Sequence, residues 1–294
     1  MDSPTKIPTT VITGFLGAGK TSMIRHLMEN NGGRRIALVI NEFGDLGVDG
    51  EIVRGCGFEG CAEDDVLELA NGCICCTVAD DFLPTMEKLV NREQKPDHIV
   101  IETSGLALPK PLVKAFSWPE VRTRATVDGV IAVIDGPAVA DGLFTSRPEQ
   151  VQALRESDPA LDHDSPLEEV FEDQIQCADL VVLNKTDLMQ PADLERVAGE
   201  IKARLRPAQK LLRCAYGAID RDVLLGVAAA VEGDLEARPS HHDDEEEHDH
   251  DDFESFALEL QEPQSPAELI RRIQPVVEQH GILRVKGFAS VAGK

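Results

Sequence analysis

A chain of 294 residues with a formal net charge of -24 is long enough for one large domain and a smaller one, and on average it repels phosphate backbones and anionic membrane surfaces. Aromatic residues make up 4%, with one Trp and one Tyr, too few to build a stacking platform for single-stranded nucleic acid. No apolar run reaches the ~18 residues of a membrane span, and Met1 to Pro8 lacks the apolar core of a secretory leader, so the expectation is a cytoplasmic protein without nucleic-acid or membrane partners.

The first expected strand is Thr9–Thr13, and GFLGAGKT at 14–21 follows it directly, opening a helix over Lys20–Asn30. Gly14, Gly17 and Gly19 let the backbone wrap phosphate oxygens with its N–H groups, Ala18 included, and the helix N-terminus adds positive potential. Lys20 is placed to reach the β- and γ-phosphates, the Thr21 hydroxyl to ligate Mg²⁺, and Ser22 to continue the cradle.

A second strand, Ile36–Ile40, leads into NEFGDLGVD at 41–49. Two glycines and three carboxylates there suit a segment ordered by Mg²⁺ and the γ-phosphate, with Glu42 or Asp49 holding Mg²⁺ or orienting the attacking water; a solvated acidic loop is the alternative. Further on, Cys73, Cys75 and Cys76 lie within LANGCICC at 69–76. Alternate residues of an extended chain face one way, so Cys73 and Cys75 can share an ion and Cys76 can join through a bend. Three thiolates suit Zn²⁺ or Co²⁺ and leave a fourth position exchangeable; the alternatives are a buried reduced cluster or a redox or structural metal site. The count of seven Cys is odd, which also argues against a disulfide framework.

A helix is expected over Asp80–Asn91 and a strand over His98–Glu102, which ends in ETSG at 102–105. Glu102 can hold Mg²⁺ through water, and the Gly105 N–H can sense the γ-phosphate. Strand Gly129–Ile134 follows, and then 137–175, a charged stretch that reads as an insertion or a surface helix pair. After strand Asp179–Leu183 comes NKTD at 184–187. The Asp187 carboxylate can accept from guanine N1–H and N2–H₂, a donor pair adenine lacks; Asn184 can tie this turn to the phosphate loop, and the Lys185 stem can cover the base. Helix Asp193–Leu205 and strand Lys210–Arg213 complete an α/β domain with a doubly wound, mostly parallel sheet, expected over residues 1–230. Residues 231–252 read as a linker, its HHDDEEEHDHDD tract either gathering divalent cations weakly or simply solvated. Residues 253–294 read as a small, partial α+β unit: strand Phe253–Leu260, helix Pro266–His280 capped by Ser265, and strand Ile282–Val291.

GFLGAGKT, VINEFGDLGVDG, ELANGCICCTV, ETSGLALP and NKTDL, in this order, resemble the CobW-type P-loop GTPases, metallochaperones related to the hydrogenase and urease maturation GTPases. The resemblance is close over about residues 7–225. It implies that Glu102 to Gly105 is the third GTPase motif, that the Glu42 region is a switch loop, that Cys73, Cys75 and Cys76 bind metal beside the nucleotide, and that the loop at Cys214 to Tyr216 meets guanine. Ser22 stands where the family often carries Thr. The implied activity is hydrolysis of GTP to GDP and phosphate with Mg²⁺. The implied service is metal delivery to a client, foremost Co²⁺ to a cobaltochelatase for cobalamin biosynthesis. Alternatives are Zn²⁺ homeostasis, maturation of another metalloenzyme, and a metal buffer or sensor with little turnover.

Overall fold

The computed structural model describes residues 6–40, 66–68, 82–157, 166–227, 229–241, 268, 271 and 272. In chain order the described elements are β1 (Ile7–Thr13), α1 (Lys20–Glu29), β2 (Ile36–Ile40), β3 (Val66–Glu68), α2 (Leu83–Val90), β4 (His98–Glu102), α3 (Pro109–Ala115), α4 (Pro119–Arg122), β5 (Ala125–Asp135), α5 (Gly136–Ala140), α6 (Pro148–Ser157), α7 (Leu167–Cys177), β6 (Leu180–Asn184), α8 (Pro191–Arg204), β7 (Lys210–Arg213) and α9 (Arg221–Leu224), with 3₁₀ turns at Thr186–Leu188, Val231–Gly233 and Leu235–Ala237. The strands form one sheet in the order β3-β2-β4-β1-β5-β6-β7, and every neighbouring pair is parallel.

Parallel pairing forces each connection back across a sheet face, so helices cover both faces and strand residues are buried on both sides. β2, β4 and β6 are buried at every position. The alternate residues of β1 divide between two cores: Val11 packs with Phe82, Leu112 and Phe171, whereas Ile12 packs with Ile24, Leu27 and Leu224. The parallel registers Ile12↔Glu102 and Asp135↔Asn184 bring the C-terminal ends of β1, β4, β5 and β6 to one edge, where open α/β sheets present their ligand crevice.

Residues 137–175, expected to be an insertion or a surface helix pair, hold α5, α6 and most of α7, and α7 packs on the core through Val170, Phe171 and Ile175. β5 starts earlier than expected, at Ala125: the pairing shifts by one residue between Thr9↔Val127 and Thr10↔Gly129, and the chain passes Asp128 without a break in the strand.

The packed chain also continues past residue 230. Glu232 accepts from Thr126 Oγ1 (2.5 Å) and from the Val127 N–H (2.9 Å), and the buried Arg238 pairs with Asp179 at 2.5 Å while its carbonyl accepts from Lys110 Nζ at 2.7 Å. The first compact unit accordingly runs to Asp243, and a second covers Asp244–Lys294. Of the expected helix Pro266–His280, Glu268, Arg271 and Arg272 are described and are helical; the expected strands of the second unit and most of the His-rich tract lie outside the described residues. No helix among the described residues is long and apolar enough to cross a membrane.

His98, at the start of β4, is a buried imidazole hydrogen-bonded to Thr10 Oγ1 at 2.8 Å. The Thr10 hydroxyl itself donates to Leu224 O at 3.3 Å, so His98 Nε2–H is the donor to Thr10. Burial, helped by the charge of Arg34, pushes the His98 pKa down from 6.5 to about 4. The unfolded chain therefore binds the extra proton between those values, so this stabilisation is complete above pH 6.5 and is lost as pH falls towards 4. Chemical denaturation at pH 7 and pH 4.5 should show a loss attributable to His98 of roughly 2–3 kcal/mol, and that component should vanish in His98→Gln; an equal loss in both proteins would contradict it.

Candidate nucleotide site

The loop from Gly14 to Gly19 joins β1 to α1 and wraps the site where the sequence pattern puts it. Lys20 is buried, and its Nζ donates to Gly14 O at 2.8 Å and to Phe15 O at 3.5 Å, which holds the ammonium inside the loop. Gly17, at the middle of the loop, has a left-handed φ of 80°, and a Cβ there would lie 3.3 Å from Ser146 Oγ. Its place in the phosphate loop is the one expected from sequence, and the backbone turn is what calls for glycine. Gly19 has φ of 102°, and a Cβ there would lie 2.3 Å from Asn184 Nδ2. Glycine at 19 is thus required twice, by its backbone and by the side chain against it. Ser22, expected to continue the cradle, is exposed in the first turn of α1.

Thr21 Oγ1 donates to Glu102 Oε1 at 3.4 Å, and Glu102 is buried at the end of β4. A hydroxyl and a carboxylate converging beside a phosphate cradle are the hard oxygen donors that Mg²⁺ takes, so the residues fit that ion, and Thr21 with Glu102 would hold it. Gly105 abuts the phosphate loop: a Cβ on it would come within 2.7 Å of Leu16 N. The two phosphate-facing segments expected from sequence are therefore in van der Waals contact.

Asn184 joins the pieces. Its Nδ2 donates to Ala18 O at 2.9 Å, and its Oδ1 accepts from the Gly217 N–H at 3.1 Å and from Cys214 Sγ at 3.1 Å. One buried amide thus fixes the phosphate loop against the 214–217 loop. Thr186 adds to this, its N–H and hydroxyl both donating to Cys214 O, at 3.1 and 2.9 Å. Lys185 adopts a left-handed φ of 59° and pairs with the buried Asp135 at 2.6 Å. That pair orients the Lys185 stem. Asp187 is exposed on the 3₁₀ turn, its carboxylate close enough to Tyr216 to raise the phenol pKa. Leu188 and Tyr216, 68% and 76% exposed, offer apolar surface beside it in sequence and in the neighbouring loop, as a purine base requires.

Several contributors carry no sequence motif. Asp135 anchors Lys185; Thr145 Oγ1 donates to Leu16 O at 2.6 Å and holds the phosphate loop from the far side; Gln174 contacts the loop bearing Gly105. Their partners are distant in sequence, so no local spacing marks them.

Glu42, Asp49, Cys73, Cys75 and Cys76 lie outside the described residues. Two other cysteines are described, Cys177 and Cys214, both buried. Burial pushes the Cys177 thiol up to about 12 and raises that of Cys214, so neither supplies a thiolate at neutral pH.

Residues 8–213 match the family model described as the CobW/HypB/UreG nucleotide-binding domain. A Sinorhizobium protein named zinc chaperone CobW is 56% identical over 98% of this chain and 83% of its own length. A Pseudomonas aeruginosa protein of the same name is 52% identical over 100% of this chain and 80% of its own. Among solved structures, the Zn(II)-bound YjiA GTPase from E. coli is 24% identical, with a TM-score of 0.49, covering 99% of this chain and 84% of that one. With the phosphate loop, the buried glutamate of β4 and the Asn184 hub all in place, the family match over residues 8–213 makes this chain a member of the CobW/HypB/UreG family of GTPases.

Proposed function

We propose that this chain hydrolyses GTP and uses the cycle to carry zinc on Cys73, Cys75 and Cys76 and to hand it to a client metalloenzyme. The observation that carries the nucleotide half is the Asn184 hub, which locks the phosphate loop and the base-reading turn into one rigid unit. Hydrolysis proceeds by attack of water on the γ-phosphorus; the new P–O bond forms as the bond to the β–γ bridging oxygen breaks, and GDP leaves without a covalent enzyme intermediate. Lys20 neutralises charge on the β- and γ-oxygens. When bound, Mg²⁺ supplies further charge neutralisation at those oxygens. Glu42 and Asp49 are the switch-loop carboxylates assigned to Mg²⁺ and to the attacking water.

The choice of zinc replaces the cobalt expected from the sequence. Two relatives similar over almost all of this chain carry the name zinc chaperone. A thiolate site also binds Zn²⁺ more tightly than Co²⁺ by intrinsic divalent preference. The metal choice is tested by loading reduced protein, with Mg²⁺ and a non-hydrolysable GTP analogue, in equimolar Zn²⁺ and Co²⁺. Zinc occupancy that is lost in Cys73→Ala is the expected result. Retention of cobalt against equimolar zinc would restore the cobalt reading, and metal content unchanged by Cys73→Ala would remove the thiolate site from the account.

A further inference from the structure

We propose that Gln174 is a positioning residue for γ-phosphate recognition, acting through the backbone of the Ser104–Ala107 turn. This rests on the reading of GTP as the bound nucleotide.

Gln174 lies on α7 and is 2% exposed. Its Nε2 donates to Gly105 O at 3.2 Å and to Ala107 O at 3.1 Å, so both amide protons are spent on one turn. The same turn is closed by the Ala107 N–H donating to Ser104 O at 3.1 Å. With the Ser104 carbonyl held in this way, the trans peptide fixes the direction of the Gly105 N–H, the group assigned to the γ-phosphate. Gln174 holds two further carbonyls, those of Gly105 and Ala107, whose release would let the turn rotate. Because Gly105 already touches the phosphate loop at Leu16, a rotation of the turn has no slack to absorb it.

What gives Gln174 its authority is the anchoring of α7. Phe171, one helical turn earlier on the same face, packs its ring 6.1 Å from that of Phe15 in the phosphate loop and 5.0 Å from Phe144. On the neighbouring position Asp173 accepts from Ser240 Oγ at 2.6 Å and from the His241 N–H at 2.9 Å. One helix is therefore referenced to the phosphate loop through Phe171 and to the γ-phosphate turn through Gln174. A buried amide is costly unless satisfied, and both of its donors are satisfied by the one segment that must tell GTP from GDP.

The consequence is a selective defect. Gln174→Met keeps length and removes the donors; Gln174→Glu turns a carboxylate towards two carbonyls. Both should leave the GDP dissociation constant within about twofold of wild type, weaken a non-hydrolysable GTP analogue with Mg²⁺ by roughly tenfold, and lower kcat by a similar factor. A purely structural role would weaken GDP and the GTP analogue together. Both affinities are read by isothermal titration on the full chain. In the unsubstituted protein, the side-chain NH₂ resonances of Gln174 should move when the GTP analogue replaces GDP, which tests the proposal even if the variants fold poorly. Wild-type protein that binds no guanine nucleotide would overturn the functional reading and this proposal with it. Wild-type binding with an unchanged GTP-analogue to GDP ratio in the variants, or Gln174 resonances identical in the two states, would overturn this proposal alone.

Discussion

Asp187→Asn is expected to lower GTP affinity by about 10²-fold or more and to raise that for XTP. In the proposed function the carboxylate would accept two charge-assisted hydrogen bonds from guanine, each worth roughly 1.5–3 kcal/mol. The asparagine amide keeps one acceptor but turns a donor against the guanine N2–H₂ or N1–H; xanthine carries a carbonyl at that position and can accept from it. The substitution should leave the fold intact, because Asp187 is exposed and its turn is held by Thr186 on Cys214 O, not by Asp187 itself. Competition of GTP, XTP and ATP for the wild-type and variant proteins checks this. Unchanged preference for GTP over both would remove Asp187 from base recognition.

Lys20→Ala is expected to cut GTP turnover by ~10²–10³, the range for losing one preorganised group aimed at developing charge. Lys20 is 7% exposed and already bonded to Gly14 O at 2.8 Å, so its ammonium waits inside the loop and needs little reorganisation when phosphate arrives. The methyl group that replaces it leaves the γ-phosphate charge to Mg²⁺ and the backbone alone. Thermal stability should change little, because removing a buried cation also removes its desolvation cost. Steady-state phosphate release measures the effect; turnover within about threefold of wild type would contradict the assigned role of Lys20.

How far the molecule can be read from its sequence depends on how local each cause is. β2, β5 and β6 each hold an apolar run of four residues or more, Ile36–Ile40, Val130–Ile134 and Leu180–Leu183, and a run of that kind reports burial on both faces wherever it sits. β3 escapes such a reading because Val66–Glu68 is three residues long and follows the acidic Glu63, Asp64 and Asp65. α3 and α4 are not among the expected elements, although Pro109 and Pro119 at their first helical positions are a local signal for both. α7 is obscured for a different reason: Asp173 and Gln174 are buried, so the polar face expected of a surface helix is interrupted by residues that bond to Ser240 and to Gly105.

The site divides in the same way. The phosphate loop, Glu102, Gly105 and the Asn184 turn are legible because phosphate and guanine impose fixed spacings on short segments. Asp135 and Thr145 act on partners brought near only by the sheet order, and no local pattern marks them. The packing past residue 230 carries no local signal for a related reason. Arg238 is a charged residue in a region poor in apolar runs, yet it is buried against Asp179, a partner distant in the chain.

The measurement that bears most directly on the account is the zinc affinity of the reduced protein in two nucleotide states, read by competition with a chromophoric chelator. With Mg²⁺ and a non-hydrolysable GTP analogue, binding should be at least about tenfold tighter than with GDP, a coupling free energy of about 1.4 kcal/mol, and the difference should disappear in Cys73→Ala. Equal affinity in the two states would mean that the GTPase cycle does not drive metal transfer.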